Sequence, residues 1–178
     1  MSPSTPEELF AFLDRLGIAH ATVKHVPVHT VAESRDLKAA MPGGHSKNLF
    51  LKDKRGRLFL VVAEAEARID LKRLHGPLGA TGRFSFGSAE LLYERLGVRP
   101  GSVTPFGLIN DREGTVNVVL DAGLMAHDPV NFHPLHNGAT TAVAPGDLIR
   151  FLEATGHPPR VMALPEPAAE DGEAMTAE

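Results

Sequence analysis

The chain has no cysteine and no tryptophan, one tyrosine, and no apolar run longer than Leu58–Ala63. Without thiols there are no disulfides, zinc ribbons, thiolate nucleophiles or iron–sulfur clusters, so any chemistry falls to His, Lys, Asp/Glu, Ser/Thr, Asn or the backbone. With Tyr93 as the one aromatic besides phenylalanine, a stacking platform for long single-stranded nucleic acid is not expected. A six-residue apolar run is far below the roughly 20 residues of a membrane span, and the start MSPSTPEELF lacks a basic-then-apolar leader. A soluble, cytoplasmic protein is expected. The familiar signatures GxSxG, the P-loop and HExxH are missing as well.

What is present suits one globular domain: 178 residues, 43% apolar and 22% charged, with 17 Gly and 14 Pro. The net charge of −4 comes from the end of the chain, because residues 165–178 hold five acids and no base. The remaining body has 18 basic against 17 acidic residues, which disfavours a DNA-coating surface and leaves room for a local basic patch. Poor in large apolar side chains, 165–178 reads as an acidic flexible tail, and 1–164 as the domain.

Thr5, Pro6 and Glu8 form a capping box ahead of Leu9, Phe12, Leu13 and Leu16, so a helix is expected there, ended by Gly17. A strand follows over Ala21–Val26, then a helix starting near Thr30, with Glu33 three residues on, and running to Pro42-Gly43-Gly44. Lys47–Asp53 and Leu58–Glu64 flank the basic turn Lys54-Arg55-Gly56-Arg57 as a hairpin whose continuous apolarity implies cover on both faces. Helical patterns recur at Leu71–Leu74, Ser88–Leu96 and Asp147–Thr155. Strands are expected at Val116–Leu120, Ala139–Val143 and, more weakly, Arg160–Leu164. Such interspersed elements predict an α/β (mixed α+β) class, a mixed sheet with helices around it.

Three stretches carry candidate chemistry. In Gly43-Gly44-His45-Ser46-Lys47-Asn48, Lys47 sits at the mouth of an apolar strand, where a fixed ammonium suits an anionic or carbonyl ligand; the alternative is a solvated strand end. In Gly101-Ser102-Val103-Thr104-Pro105-Phe106-Gly107, glycines around a proline define a stiff loop whose N–H groups can meet a carbonyl or carboxylate, or an ordinary turn. The third, Ala126–Asn137, holds His127, Asp128, His133 and His136. Its spacing matches no helical zinc pattern, leaving a polar loop or one working imidazole, and no metal or cofactor is expected. His20, His25 and His29 read as solvated or core-edge histidines, and Asp111–Gly114 as a turn. Further basic residues occur at Lys52 and at Arg68, Lys72 and Arg73.

Taken in order, TVAES (Thr30–Ser34), SKNLFLKD (Ser46–Asp53) with LFLVV after it, GSVTPFGL (Gly101–Leu108) and FHPLHNGATTAV (Phe132–Val143) resemble the YbaK/prolyl-tRNA-editing family, most closely its free-standing alanyl-tRNA(Pro) deacylases. The resemblance implies a partly barrel-like central sheet and a site between the Lys47 strand and the Gly101–Pro105 loop. It implies that Lys47 holds the terminal adenosine or its phosphate, that the backbone of Gly101, Ser102, Val103, Thr104 and Pro105 orients the aminoacyl group, and that Asn48 and His133 line the pocket. Thr30, Val31 and Leu49, with Leu51, are the expected neighbours of the amino-acid side chain. Hydrolysis in this family is implied to use water assisted by the terminal ribose hydroxyl, so no side-chain nucleophile is needed. The implied partner is the aminoacyl end of tRNA, with prolyl-tRNA synthetase or an elongation factor as helpers and no membrane. Two other readings stay open, a non-catalytic nucleic-acid or nucleotide-binding module and a metal-dependent hydrolase built on His127, His133 and His136.

Overall fold

The computed structural model describes residues 2–28 and 30–168, except for the side chain of Val31. His29 and residues 169–178 of the acidic segment lie outside the described residues. The first residue of that segment is held, since Pro165 O accepts the Asp70 N–H at 2.8 Å.

Helix α1 (Pro6–Arg15) has the expected capping box, with Thr5 Oγ1 accepting the Glu8 N–H and Glu8 accepting the Thr5 N–H. Strand β1 (His20–Lys24) follows, then α2 (Val31–Ala40), capped by Thr30, whose Oγ1 accepts the Glu33 N–H. The hairpin pairs β2 (Gly44–Lys52) with β3 (Leu58–Glu64) in antiparallel register. Asp53 closes its turn by accepting N–H groups of Arg55, Arg57 and Thr81 and the Arg57 guanidinium. Burial works against ionisation of Asp53, but these donors outweigh it and hold the carboxyl down at about 2.

Beyond the hairpin come β4 (Ser85–Phe86) and α3 (Ala89–Leu96), which Ser88 caps and Gly97, at φ 67°, ends. A 3₁₀ turn over Pro105–Asn110 precedes β5 (Val116–Asp121), α4 (Ala122–Met125), β6 (Val130–Phe132), β7 (Ala139–Val143), α5 (Pro145–Ala154) and β8 (Arg160–Met162). The strand order β1-β7-β6-β2-β3-β5-β8, with β4 also on β2, gives one mixed eight-stranded sheet. β2 pairs in parallel with β6 at its start and antiparallel with β4 at its end, so one long strand joins both halves of the sheet.

Apolar side chains cover both faces. Alternation along β3 and β5 sends Leu58, Leu60, Val62, Val116, Val118 and Leu120 to a cluster with α1, α3 and α5. Phe59, Val61, Ala63 and Val119 go to a second cluster with Ile69, Leu74 and Leu78. Phe106 meets Phe132 and Phe151 edge-on at 5.7 and 5.4 Å, tying the 3₁₀ turn to β6 and α5.

Three expectations are corrected. No helix forms at Leu71–Leu74: residues 71–79 are successive turns, with Gly76 N bonded to Arg73 O and Gly79 N to Gly76 O, because Gly76, Pro77 and Gly79 interrupt any helix after one turn. α5 begins at Pro145 rather than Asp147, since a proline at the first helical position has its φ already set. β2 begins at Gly44, three residues before Lys47, because β6 supplies partners for Gly44 and His45; Lys47 is inside the strand rather than at its mouth.

Candidate active site

Residues 43–48 are positioned by close packing against the loop before β6. Gly43 adopts φ 98°, and a Cβ on it would stand 2.1 Å from Pro129 O, while the Gly44 N–H donates to that oxygen at 2.8 Å. Asn131 Nδ2 donates to the carbonyls of Pro42 and Gly44, and Ser46 Oγ donates to Asn131 O. Gly43→Ala combines a disfavoured φ with a backbone clash, and about 3 kcal/mol of destabilisation is expected. A denaturant midpoint equal to that of the parent would show that this junction does not constrain β2.

Lys47 is 7% exposed and its ammonium donates to Ala67 O. Burial lowers its pKa and Lys38 pushes the same way, against the pull of Glu66 and Asp121. Asn48, also 7% exposed, donates from Nδ2 to Ser46 Oγ at 3.3 Å, while its Oδ1 is buried without a partner among the described residues. The β2–β6 register pairs Gly44 with Val130 and His45 with Asn131, so Lys47 follows directly on the stretch of β2 that β6 holds.

His133 donates from Nδ1 to Ala139 O at 3.1 Å, because a carbonyl can only accept. Burial lowers its pKa; the Ala139 carbonyl opposes this, and His25 and His136 add to it. The imidazole is therefore neutral at pH 7, with its Nε2 lone pair making no hydrogen bond among the described residues. The Gly101–Pro105 loop and the turn after it pack against the segment that carries His133 at two points. Phe106 packs on Phe132, the residue before His133, and a methyl on Gly101 would stand 3.8 Å from Asn137 Nδ2.

Within the loop, Ser102 N donates to Arg99 O and Phe106 N to Thr104 Oγ1. The N–H groups of Gly101, Val103 and Thr104 make no hydrogen bond among the described residues, although Thr104 is 0% exposed. Gly101 and Val103 are half-exposed, so their amides can receive a carbonyl or carboxylate oxygen, whereas the Thr104 amide is closed off from solvent.

The other expected residues divide. Ser102 and Pro105 are buried in the loop, and Thr30 is an exposed helix cap. Leu49 and Leu51 are each 1% exposed within the second apolar cluster, so they build core instead of a wall open to solvent. The side chain of Val31 lies outside the described residues. His127 is bonded to Glu64 at 2.9 Å, and the described residues hold no group of three metal-type ligands.

The sequence alone did not single out Asn131, nor place His25 near His133. Asn131 fixes the approach to Lys47; His25, expected in solvent or at the core edge, is half-buried, bonded to Val26 O and Thr140 Oγ1, and lies 6.5 Å from the His133 ring. The alternation of β1 gave no hint of His25, whose neighbour Gly138 arrives from over a hundred residues away. A separate groove of about 250 Å³ runs between Arg57, Asn117, His157 and Arg160. Both arginines there already bond carbonyls of Pro77, Leu78 and Gly79, so the groove is braced by its own cations.

The chain is 40% identical over 160 residues to a zebrafish (Danio rerio) prolyl-tRNA synthetase associated domain-containing protein 1, covering 89% of this chain and 86% of that protein. It is 36% identical over 158 residues to a prolyl-tRNA editing protein ProX of Acetoanaerobium sticklandii, covering 88% and 96% respectively. A crystal structure described as that of a proposed trans-editing enzyme for prolyl-tRNA synthetase shares the fold, with a TM-score of 0.68 at 23% identity over 93% of this chain and 100% of that one. The family model for the aminoacyl-tRNA editing domain matches residues 25–151, and the chain belongs to that family.

Proposed function

We propose that this protein is a trans-acting aminoacyl-tRNA deacylase that hydrolyses the ester of mischarged tRNA, with alanyl-tRNA(Pro) as its substrate. The observation that carries the reading is the pair of half-exposed, undonated amides at Gly101 and Val103, in a loop packed against the segment that bears His133. Membership in the editing-domain family, and the names of the relatives, support it.

In this reading the Lys47 ammonium holds the phosphate of the terminal adenosine, and the loop amides orient the ester carbonyl and receive the negative charge that develops on its oxygen. Water adds to the carbonyl carbon, the carbon–oxygen bond to the ribose breaks, and the leaving oxygen takes up a proton. His133 Nε2 is an acceptor that can orient the water or the amino group, and Asn48 Oδ1 offers a second one. Thr30, Ser102, Val103 and Pro105 frame the aminoacyl group. Residues 1–164 carry this unit. It works in the cytoplasm on tRNA charged by prolyl-tRNA synthetase.

A synthetase pocket built for proline rejects a smaller amino acid by only about 1–3 kcal/mol for a missing methylene, so a second site that excludes proline by size is required. The test is a panel of alanyl-, cysteinyl-, seryl- and prolyl-tRNA incubated with purified protein. Release of alanine with prolyl-tRNA(Pro) left intact is expected. Salt-sensitive tRNA binding with no ester cleavage on any member would instead establish a binding module.

A further inference from the structure

Two residues before Gly101, Arg99 lays its guanidinium 4.9 Å from the centroid of the Tyr93 ring. Both side chains are exposed, Tyr93 at 42%. Other cations on this flank are neutralised: Arg95 lies within 4 Å of Glu94 and Glu113. Arg99 has no carboxylate within that range among the described residues, where its guanidinium rests on the Tyr93 ring.

The backbone that carries it is rigid. Val98 is 2% exposed in the core, Arg99 O accepts the Ser102 N–H at 3.0 Å, and Gly101 turns the chain at φ 89°. Stacking on Tyr93 removes much of the rotamer freedom that an exposed arginine would lose on binding an anion. Because the guanidinium covers that ring face, the pair presents a positive charge instead of an open stacking surface. Arg99 stands at most about 7 Å in Cα distance from the loop whose amides are undonated.

We propose that Arg99, pre-oriented on Tyr93, is a phosphate-binding residue that engages the tRNA backbone next to the terminal nucleotide, setting affinity for the nucleic acid without taking part in ester cleavage. This deepens the deacylase reading by naming how the strand is gripped beyond its last residue. The geometry calls for RNA: a single fixed, unneutralised guanidinium beside a site for an esterified ribose fits the next phosphate of the same strand.

The test compares the parent with Arg99→Gln, Arg99→Lys and Tyr93→Leu, and with Arg55→Gln as a control at the hairpin turn, the opposite end of β2 from the site. On alanyl-tRNA(Pro), Arg99→Gln is expected to raise KM about five-fold with kcat unchanged. On 3′-alanyl-adenosine, which has no neighbouring phosphate, the parent and Arg99→Gln should react alike. The slope of log K against log salt for uncharged tRNA should fall by about 0.7–0.9 in Arg99→Gln and remain at the parent value in Arg55→Gln. Arg99→Lys keeps the slope, and Tyr93→Leu weakens binding by freeing the guanidinium. An unchanged KM and salt slope in Arg99→Gln overturns the proposal, as does an equal change in Arg55→Gln or a loss on alanyl-adenosine. Should the parent cleave no aminoacyl-tRNA, the deacylase reading fails on its own, and the salt slopes on uncharged tRNA still decide the role of Arg99. A parent that binds no tRNA overturns both.

Discussion

Replacing Lys47 by alanine is expected to slow hydrolysis of alanyl-tRNA(Pro) by about 10- to 100-fold, the worth of one charge-assisted contact of roughly 1.5–3 kcal/mol to a phosphate. Stability should move differently. Lys47 is 7% exposed and burial lowers its pKa, so the folded protein bears a desolvation cost for keeping it charged. Lys47→Met, which retains the aliphatic stem, is therefore expected to melt no lower than the parent while losing the same activity. Such a split is the mark of a residue kept for binding at the expense of the fold. A Lys47→Ala protein that deacylates at the parental rate removes the lysine from the site. A Met variant that melts well below the parent makes it a structural residue held by Ala67 O and its acidic neighbours.

The largest effect on stability is expected at Asp111, at the end of the 3₁₀ turn that follows the Gly101–Pro105 loop. Its carboxylate is 3% exposed and accepts the Thr115 hydroxyl at 2.7 Å, the Val116 N–H at 2.8 Å and His157 Nε2 at 2.8 Å, while Thr155 Oγ1 meets His157 Nδ1 at 3.0 Å. Burial raises the Asp111 pKa, but the bonds from His157, Thr115 and Val116 outweigh it and hold it below the ordinary value of 3.8. Asp111→Ala leaves these buried donors unpaired, and a loss of roughly 3–5 kcal/mol is expected, a fall of about 10 °C in Tm for a chain this size. Because the folded carboxyl is more acidic than the unfolded one, its contribution is complete above about pH 3.8 and is lost as pH falls through the folded value. The gap in denaturation midpoint between parent and variant should therefore narrow as pH falls from 6 to 2. A constant gap across that range would show that the network does not act through the carboxylate charge.

How much of this was legible in the sequence depended on whether the signal was local. Helix starts were, because Thr5, Thr30 and Ser88 make their capping bonds within three residues of themselves. The β2–β3 hairpin was too, since two apolar runs joined by a short turn have few other ways to be buried. The start of β2 was not, because Gly44 and His45 are strand only through pairing with Val130 and Asn131. Leu49 and Leu51 looked like candidate pocket walls, yet the turns of residues 71–79 bring Leu74 and Leu78 over them and make them core. Asp111 read as a turn residue, which it is; its bond to His157 spans 46 positions and left no local trace.

By itself the sequence determined the mixed α/β class, the absence of thiol chemistry and the order of the Lys47, Gly101 and His133 segments, because composition, capping and hydrophobic period act over a few residues. Only the tertiary structure decided that Phe106 packs on Phe132, that His25 comes within 6.5 Å of the His133 ring, that Asn131 braces the start of β2, and that the Thr104 amide is buried without an acceptor. Those facts depend on which distant segments share a sheet edge, and that is settled by burying both faces of the sheet at once, a constraint on the whole chain that no local pattern records.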